Sequence, residues 1–212
     1  MSDFVFETRL CLSCGLRYPV EKNHPFSIRC PQCLGETKIV SQKTIHEKEK
    51  TRTKTEKQNN LVYAVLLDNI RSAWNVGSIF RSADGFGLSQ IFLCGITPTP
   101  ENEAVRKTSL GAEKTIQWSY HKNAVELVKK LKGEGWKVFV LEEDERAVEI
   151  SKQVLLNTEN CLLILGSEVT GVDSDLLSLC DEIFYIPMLG EKRSLNVAIA
   201  FSVAAFTFGN IN

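Results

Sequence analysis

The sequence predicts an α/β domain, a mostly parallel sheet with helices on both faces, preceded by a small cysteine-rich segment. Three observations point there. Short apolar runs recur from Leu61 to Met188, each nearly continuous rather than alternating. Stretches of helical character lie between them. Four of the 7 cysteines fall within residues 1–40, where little else would form a core.

The strand candidates, in order, are Leu61–Leu67, Gln90–Ile96, Lys137–Leu141, Cys161–Leu165 and Ile183–Met188. Continuous apolarity over so short a length is how a strand covered on both faces reads. The helix candidates are Ser78–Phe86, Asn123–Leu131, Asp173–Leu179 and Leu195–Phe208. In Asn123–Leu131 the residues Val125, Leu127, Val128 and Leu131 form an apolar face. Gly209 stands where a helix C-cap is expected. Alternating strands and helices indicate covered parallel strands. Residues 61–212 therefore form the main domain, residues 1–40 a small separate one, and residues 41–60, polar and rich in Lys, Arg, Glu and Thr, a basic linker.

The formal charge of -1 conceals an asymmetry. Residues 1–60 carry 11 Lys and Arg against 7 Asp and Glu, whereas residues 61–212 carry 14 against 19. An anionic partner is expected for the first part only. The stretch Met1–Leu10 contains Asp3, Glu7 and Arg9 and does not read as a signal peptide. The apolar run from Leu195 to Phe208 is shorter than the roughly 18 residues a membrane span needs. A cytoplasmic protein is expected.

Cys11-Leu12-Ser13-Cys14 and Cys30-Pro31-Gln32-Cys33 form a CxxC…CxxC pair with 15 residues between. Two such knuckles place four thiolates around one tetrahedral ion. A segment this small lacks the apolar surface to fold alone, so metal binding supplies the missing free energy. Cys11, Cys14, Cys30 and Cys33 are thus expected to hold a structural zinc. Cys94, Cys161 and Cys180 lie in or beside apolar runs and read as core.

In a parallel sheet, ligands bind beyond the carboxyl ends of the strands. Three polar clusters fall there: Asn69 to Asn75, Gly166-Ser167-Glu168, and Gly190 to Asn196. Their residues carry a resemblance. Asn75-x-Gly77-x-x-x-Arg81-Ser82-Ala83, Gly166-Ser167-Glu168-x-x-Gly171, and Ile186-Pro187-Met188 with Ser194-Leu195-Asn196-Val197 resemble the three motifs of the SpoU/TrmH family. These are RNA ribose 2′-O-methyltransferases of the SPOUT superfamily. Departures are small, with Ala73 where the family usually has proline and Ala198 where it often has serine.

The resemblance implies a SPOUT-type C-terminal trefoil knot, S-adenosyl-L-methionine as cofactor, a homodimer, and tRNA or rRNA as substrate. It implies catalytic positions at Asn75, Arg81, Glu168, Ser194 and Asn196, and cofactor contacts at Leu141, Gly166, Ile186 and Leu195. Arg81 either assists deprotonation of the ribose hydroxyl or grips an RNA phosphate; a guanidinium is a poor base, which favours the grip. The residue types also allow a bland role, helix capping, for Asn75, Ser194 and Asn196. A non-catalytic RNA-binding protein on the same fold is the alternative. A dinucleotide-dependent oxidoreductase is excluded, since no GxGxxG follows the first strand.

Overall fold

A seven-stranded sheet in the order β6-β5-β4-β9-β7-β10-β8 organises the larger of two compact units, residues 58–212. All of its ladders are parallel. The computed structural model describes residues 4–45, 62–150 and 160–209, with 208 and 209 described without their side chains. The strands are β4 Val62–Asp68, β5 Gln90–Cys94, β6 Gln117–His121, β7 Lys137–Leu141, β8 Val148–Glu149, β9 Asn160–Leu165 and β10 Glu182–Tyr185. The helices are α1 Ala73–Phe86, α2 Glu103–Ser109, α3 Ala124–Gly133, α4 Ser174–Leu179 and α5 Val197–Gly209.

Strand alternation divides the core into two layers. Val65 and Leu67 of β4 face one way, with Ile79, Phe80 and Ala83 of α1 and Phe201 and Ala204 of α5. Ala64 and Leu66 face the other way, with Leu127, Val128 and Leu131 of α3 and Leu176 of α4. Burial on both faces is why these strands read as unbroken apolar runs.

Where the boundaries differ from expectation, local chemistry explains it. The helix expected from Ser78 starts earlier, because Ser72 caps it by accepting from the Asn75 N–H at 3.3 Å. Asn75 is therefore not the cap. β10 ends at Tyr185, so Ile186, Pro187 and Met188 leave the sheet. Of the larger unit, α2, β6 and the two-residue β8 were not legible in the sequence. α2 is a short polar helix in which only Val105 and Ser109 are buried, and β6 is a half-exposed strand at the sheet edge.

Gly77 explains how α1 meets α2. A Cβ there would overlap the Val105 carbonyl and the Thr108 side chain. On its other flank α1 meets α5, with Ser82 Oγ 2.8 Å from Ser202 Oγ.

The smaller unit contains an antiparallel sheet, β2-β1-β3, formed by β1 Phe4–Cys11, β2 Arg17–Glu21 and β3 Thr37–Ile45. Its buried apolar residues are Cys11, Val20 and Cys30, so its apolar core is very small. Glu7, 3% exposed, accepts from Arg9 and, at 3.2 Å, from Gln42. β3 takes in the first residues of the stretch read as a linker, to Ile45; 46–60 lie outside the described residues.

Gly77→Ala is a sharp test of the α1–α2 contact. Helix propensity alone would stabilise the variant by about 1 kcal/mol. Overlap with a backbone carbonyl reverses the sign, and a net loss of about 1–3 kcal/mol is expected in urea unfolding. A more stable variant would refute the contact.

Candidate functional site

Glu168 binds α1 from the far side of the chain. It follows β9, and its Oε2 accepts the Arg71 N–H at 2.9 Å while Oε1 accepts the Ser72 N–H at 3.2 Å. Oε1 also accepts Asn75 Nδ2–H at 2.9 Å. Asn75 Oδ1 in turn accepts from Asn196 Nδ2 at 3.1 Å. Asn196 Oδ1 accepts the Ala198 N–H at 2.9 Å and so caps α5. One hydrogen-bonded relay thus joins all three predicted loops, and the capping role of Asn196 coexists with its place in the relay. Partial burial raises the Glu168 pKa, but the donors from Arg71, Asn75 and Ser72 outweigh it and hold the carboxyl below its ordinary value.

A second carboxylate, which the sequence reading missed, anchors the loop that carries Glu168. Glu142, just past β7, accepts the Val172 N–H through Oε2 at 2.9 Å and the Glu143 N–H through Oε1 at 3.1 Å. Gly171, at φ 69°, lies against this carboxylate, where a Cβ would press on Oε2. Gly166 lies against Gly171 in turn, and a Cβ there would overlap the Gly171 carbonyl and the Val172 nitrogen. The two glycines of the motif are one stack that leaves no room for side chains. The legible signal was a carboxylate at the carboxyl end of a parallel strand.

A pocket of about 560 Å³ opens beside the relay. Leu141, Gly166, Ile186 and Leu195, the four predicted cofactor contacts, all line it, as do Glu168, Ser194 and Asn196. Its floor is the strand ends Leu141, Leu165 and Tyr185, the place expected in an open α/β sheet. The volume is that of a small-molecule site. Ser194 and Asn196 are exposed at the rim rather than buried. Asn75 reaches the site through the relay. Arg81 does not: it is exposed and absent from the lining. It lies about 9 Å further along α1 than Asn75.

In the smaller unit, Cys11, Cys14, Cys30 and Cys33 bring their sulfurs within 4.8 Å of one another. Cys11 and Cys33 stand 3.5 Å apart, and Cys14 and Cys30 3.7 Å. Tetrahedral zinc with Zn–S near 2.3 Å separates its sulfurs by about 3.8 Å, so the set fits that ion. The Cys11 thiol is held down to about 6, chiefly by the Cys14 N–H. For Cys14 a backbone bond from Leu16 lowers the pKa, but the Cys33 thiol, burial, Cys11 and Cys30 together push it up to about 12. Shared protons of this kind are what a bound dication displaces.

A family model for the SpoU rRNA Methylase family matches residues 63–206. The chain belongs to this family. It is 31% identical over 144 residues to the tRNA (guanosine(18)-2'-O)-methyltransferase of Thermus thermophilus, covering 67% of this chain and 71% of that protein. It is 26% identical over 142 residues to the enzyme of the same name from Escherichia coli, covering 67% of this chain. This chain spans 60% of the length of that Escherichia coli relative. An AdoMet-bound rRNA methyltransferase from Sinorhizobium meliloti matches in structure with a TM-score of 0.63 at 26% identity, covering 69% of this chain and 55% of that one. No helix among the described residues is long and apolar enough to cross a membrane.

The depressed Glu168 pKa sets a pH dependence with a definite sign. Its ionised form stabilises the fold fully above the ordinary carboxylate value, about 4.3. That contribution is lost as pH falls through the lower, folded value. Wild type and Glu168→Gln are expected to differ in unfolding free energy at neutral pH and to converge in acid. A gap that stays constant to the lowest pH would show that the charge is irrelevant.

Proposed function

We propose that this protein is an S-adenosyl-L-methionine-dependent methyltransferase acting on a ribose 2′ hydroxyl of transfer or ribosomal RNA. The observation that carries the reading is the relay Glu168–Asn75–Asn196 at the rim of a pocket lined by every predicted cofactor contact. The pocket suits the cofactor in kind. Leu141, Ile186 and Leu195 offer apolar walls, while Gly166 brings backbone to its edge. When bound, the cofactor supplies an electrophilic methyl group on a sulfonium.

The chain's own residues have complementary tasks. Glu168, with its carboxylate committed to three donors, is an organiser of the wall rather than a base. Asn75 and Asn196 hold each other's amides in one orientation, and Ser194 stands free at the rim to meet the ribose. Holding two reactants in line is worth about 7–11 kcal/mol. Arg81 grips an RNA phosphate from the exposed side of α1.

Two further expectations belong to this reading. Zinc held by Cys11, Cys14, Cys30 and Cys33 takes the place of an apolar core in the smaller unit. A homodimer covers α5, a helix apolar around most of its circumference. One side of α5 buries Ala198, Phe201, Ala204 and Ala205, while Ile199, Val203 and Phe206 are 54%, 36% and 54% exposed on the other. Such a helix normally has both sides covered. The family's trefoil knot, with β9 placed between β4 and β7, and a cytoplasmic location complete the proposal.

The decisive experiment combines the protein with methyl-labelled S-adenosylmethionine and total RNA, followed by nucleoside mass spectrometry. A 2′-O-methyl nucleoside is expected, and Asn196→Ala is expected to lower its yield at least about 100-fold. Persistent RNA binding without product or cofactor binding would select the non-catalytic alternative. Separately, native mass spectrometry is expected to find one zinc per chain. Chelation is expected to unfold the smaller unit and leave the larger one folded; a metal-free unit that stays folded would contradict the structural role.

A further inference from the structure

Trp74 is 60% exposed, on the turn of α1 that also carries Asn75. Tryptophan is enriched at interfaces, where its apolar ring and its N–H can both find partners. The geometry of α1 defines where this one points. At 100° per residue, Trp74 and Arg81 lie about 20° apart, on one line along the helix. Ala83, in the core, is about 180° from Trp74. Gly77, against α2, and Ser82, against α5, flank that line on its two sides. Trp74 and Arg81 therefore lie on the outer face of the helix, which Ser78 and Gly85 share.

Arginines stand on either side of Trp74 along the chain, and the Glu168 carboxylate meets the same helix start. Arg71 precedes the Ser72 cap, and its backbone N–H is fixed by Glu168 at 2.9 Å. Its guanidinium, like that of Arg81, has no hydrogen-bond or ion-pair partner among the described residues, and both residues are exposed. Tryptophan and arginine are both enriched at protein interfaces too, and it is the RNA methyltransferase reading that assigns nucleic acid to this surface. The combination matches single-stranded nucleic acid, in which a base stacks on the ring and phosphates meet the cations.

We propose that Trp74 is a base-stacking residue for the RNA substrate, with Arg71 and Arg81 contacting the phosphates on either side. The inference rests on the RNA methyltransferase reading and deepens it. Adjacent Cα atoms are about 3.8 Å apart. Trp74 is next to Asn75 in the chain, and a base held by it belongs to a nucleotide close to the one presented at the relay. Trp74 thus selects an unpaired target, because a base within a duplex offers no free face. Stacking tolerates any base, so Trp74 governs accessibility rather than base identity.

The test compares full-length wild type, Trp74→Ala and Trp74→Phe on transfer and ribosomal RNA fractions, using whichever fraction wild type binds more tightly. Trp74→Ala is expected to weaken RNA binding about 5- to 150-fold, and Trp74→Phe to restore most of it. The affinity for S-adenosylmethionine and the sedimentation coefficient are expected to stay unchanged. Arg71→Ala and Arg81→Ala are each expected to reduce the salt slope of RNA binding by about 1. RNA affinity of Trp74→Ala within twofold of wild type would overturn the proposal. So would a loss of binding that follows dissociation into monomers, which would assign Trp74 to a protein interface. If wild type binds RNA through Trp74 but transfers no methyl group, the activity fails and the stacking role stands.

Discussion

The Glu168 carboxylate is the point through which the larger unit becomes a site rather than a sheet with loops. It accepts from Arg71, Ser72 and Asn75, all at the start of α1. A helix start leaves N–H groups without partners and carries partial positive charge. α1 has no acidic residue of its own in its first turn. A carboxylate from 93 residues away in sequence fills that role. Bonds of this kind, with one ionised partner, are stronger than neutral ones. They fix the rotamer of Asn75, and through it Asn196 and the start of α5.

That arrangement works only because the loop bearing Glu168 is itself held. Glu142 ties Val172, and Gly166 and Gly171 lie against one another with no space for side chains. Two carboxylates at the ends of neighbouring strands, β7 and β9, thus act in series. One secures the loop, and the other secures the start of α1. The pocket wall gains its order from backbone groups, which leaves Ser194, Arg193 and the apolar strand ends available to a ligand.

The two units show opposite solutions to stability. In the larger, both faces of the sheet are covered by helices, and the core is continuous on each side. In the smaller, the buried residues are chiefly Cys11, Val20 and Cys30, with Glu7 held by Arg9 and Gln42. A segment with so little apolar surface requires a cross-link. Four sulfurs at mutual distances suited to one tetrahedral ion supply the chemistry for it.

Burial on both faces made β4, β5, β7, β9 and β10 visible in sequence, because such strands are continuously apolar. The cysteine spacing was equally legible, since two CxxC knuckles have few other uses. Elements that gain stability from position rather than composition were not, as α2 and the edge strand β6 illustrate. Residue types alone also left Asn75 between cap and site; the structure assigns the cap to Ser72. Sequence by itself determined the layers and many of the residues that gather at the pocket, because hydrophobic patterning and motif chemistry are local properties. Tertiary structure alone decided that Glu168 serves α1 rather than the helix that follows it, that Glu142 belongs to the site, and that Arg81 and Trp74 face outward. Those outcomes depend on which strand ends become neighbours, and pairing across 90 or more residues leaves no local trace.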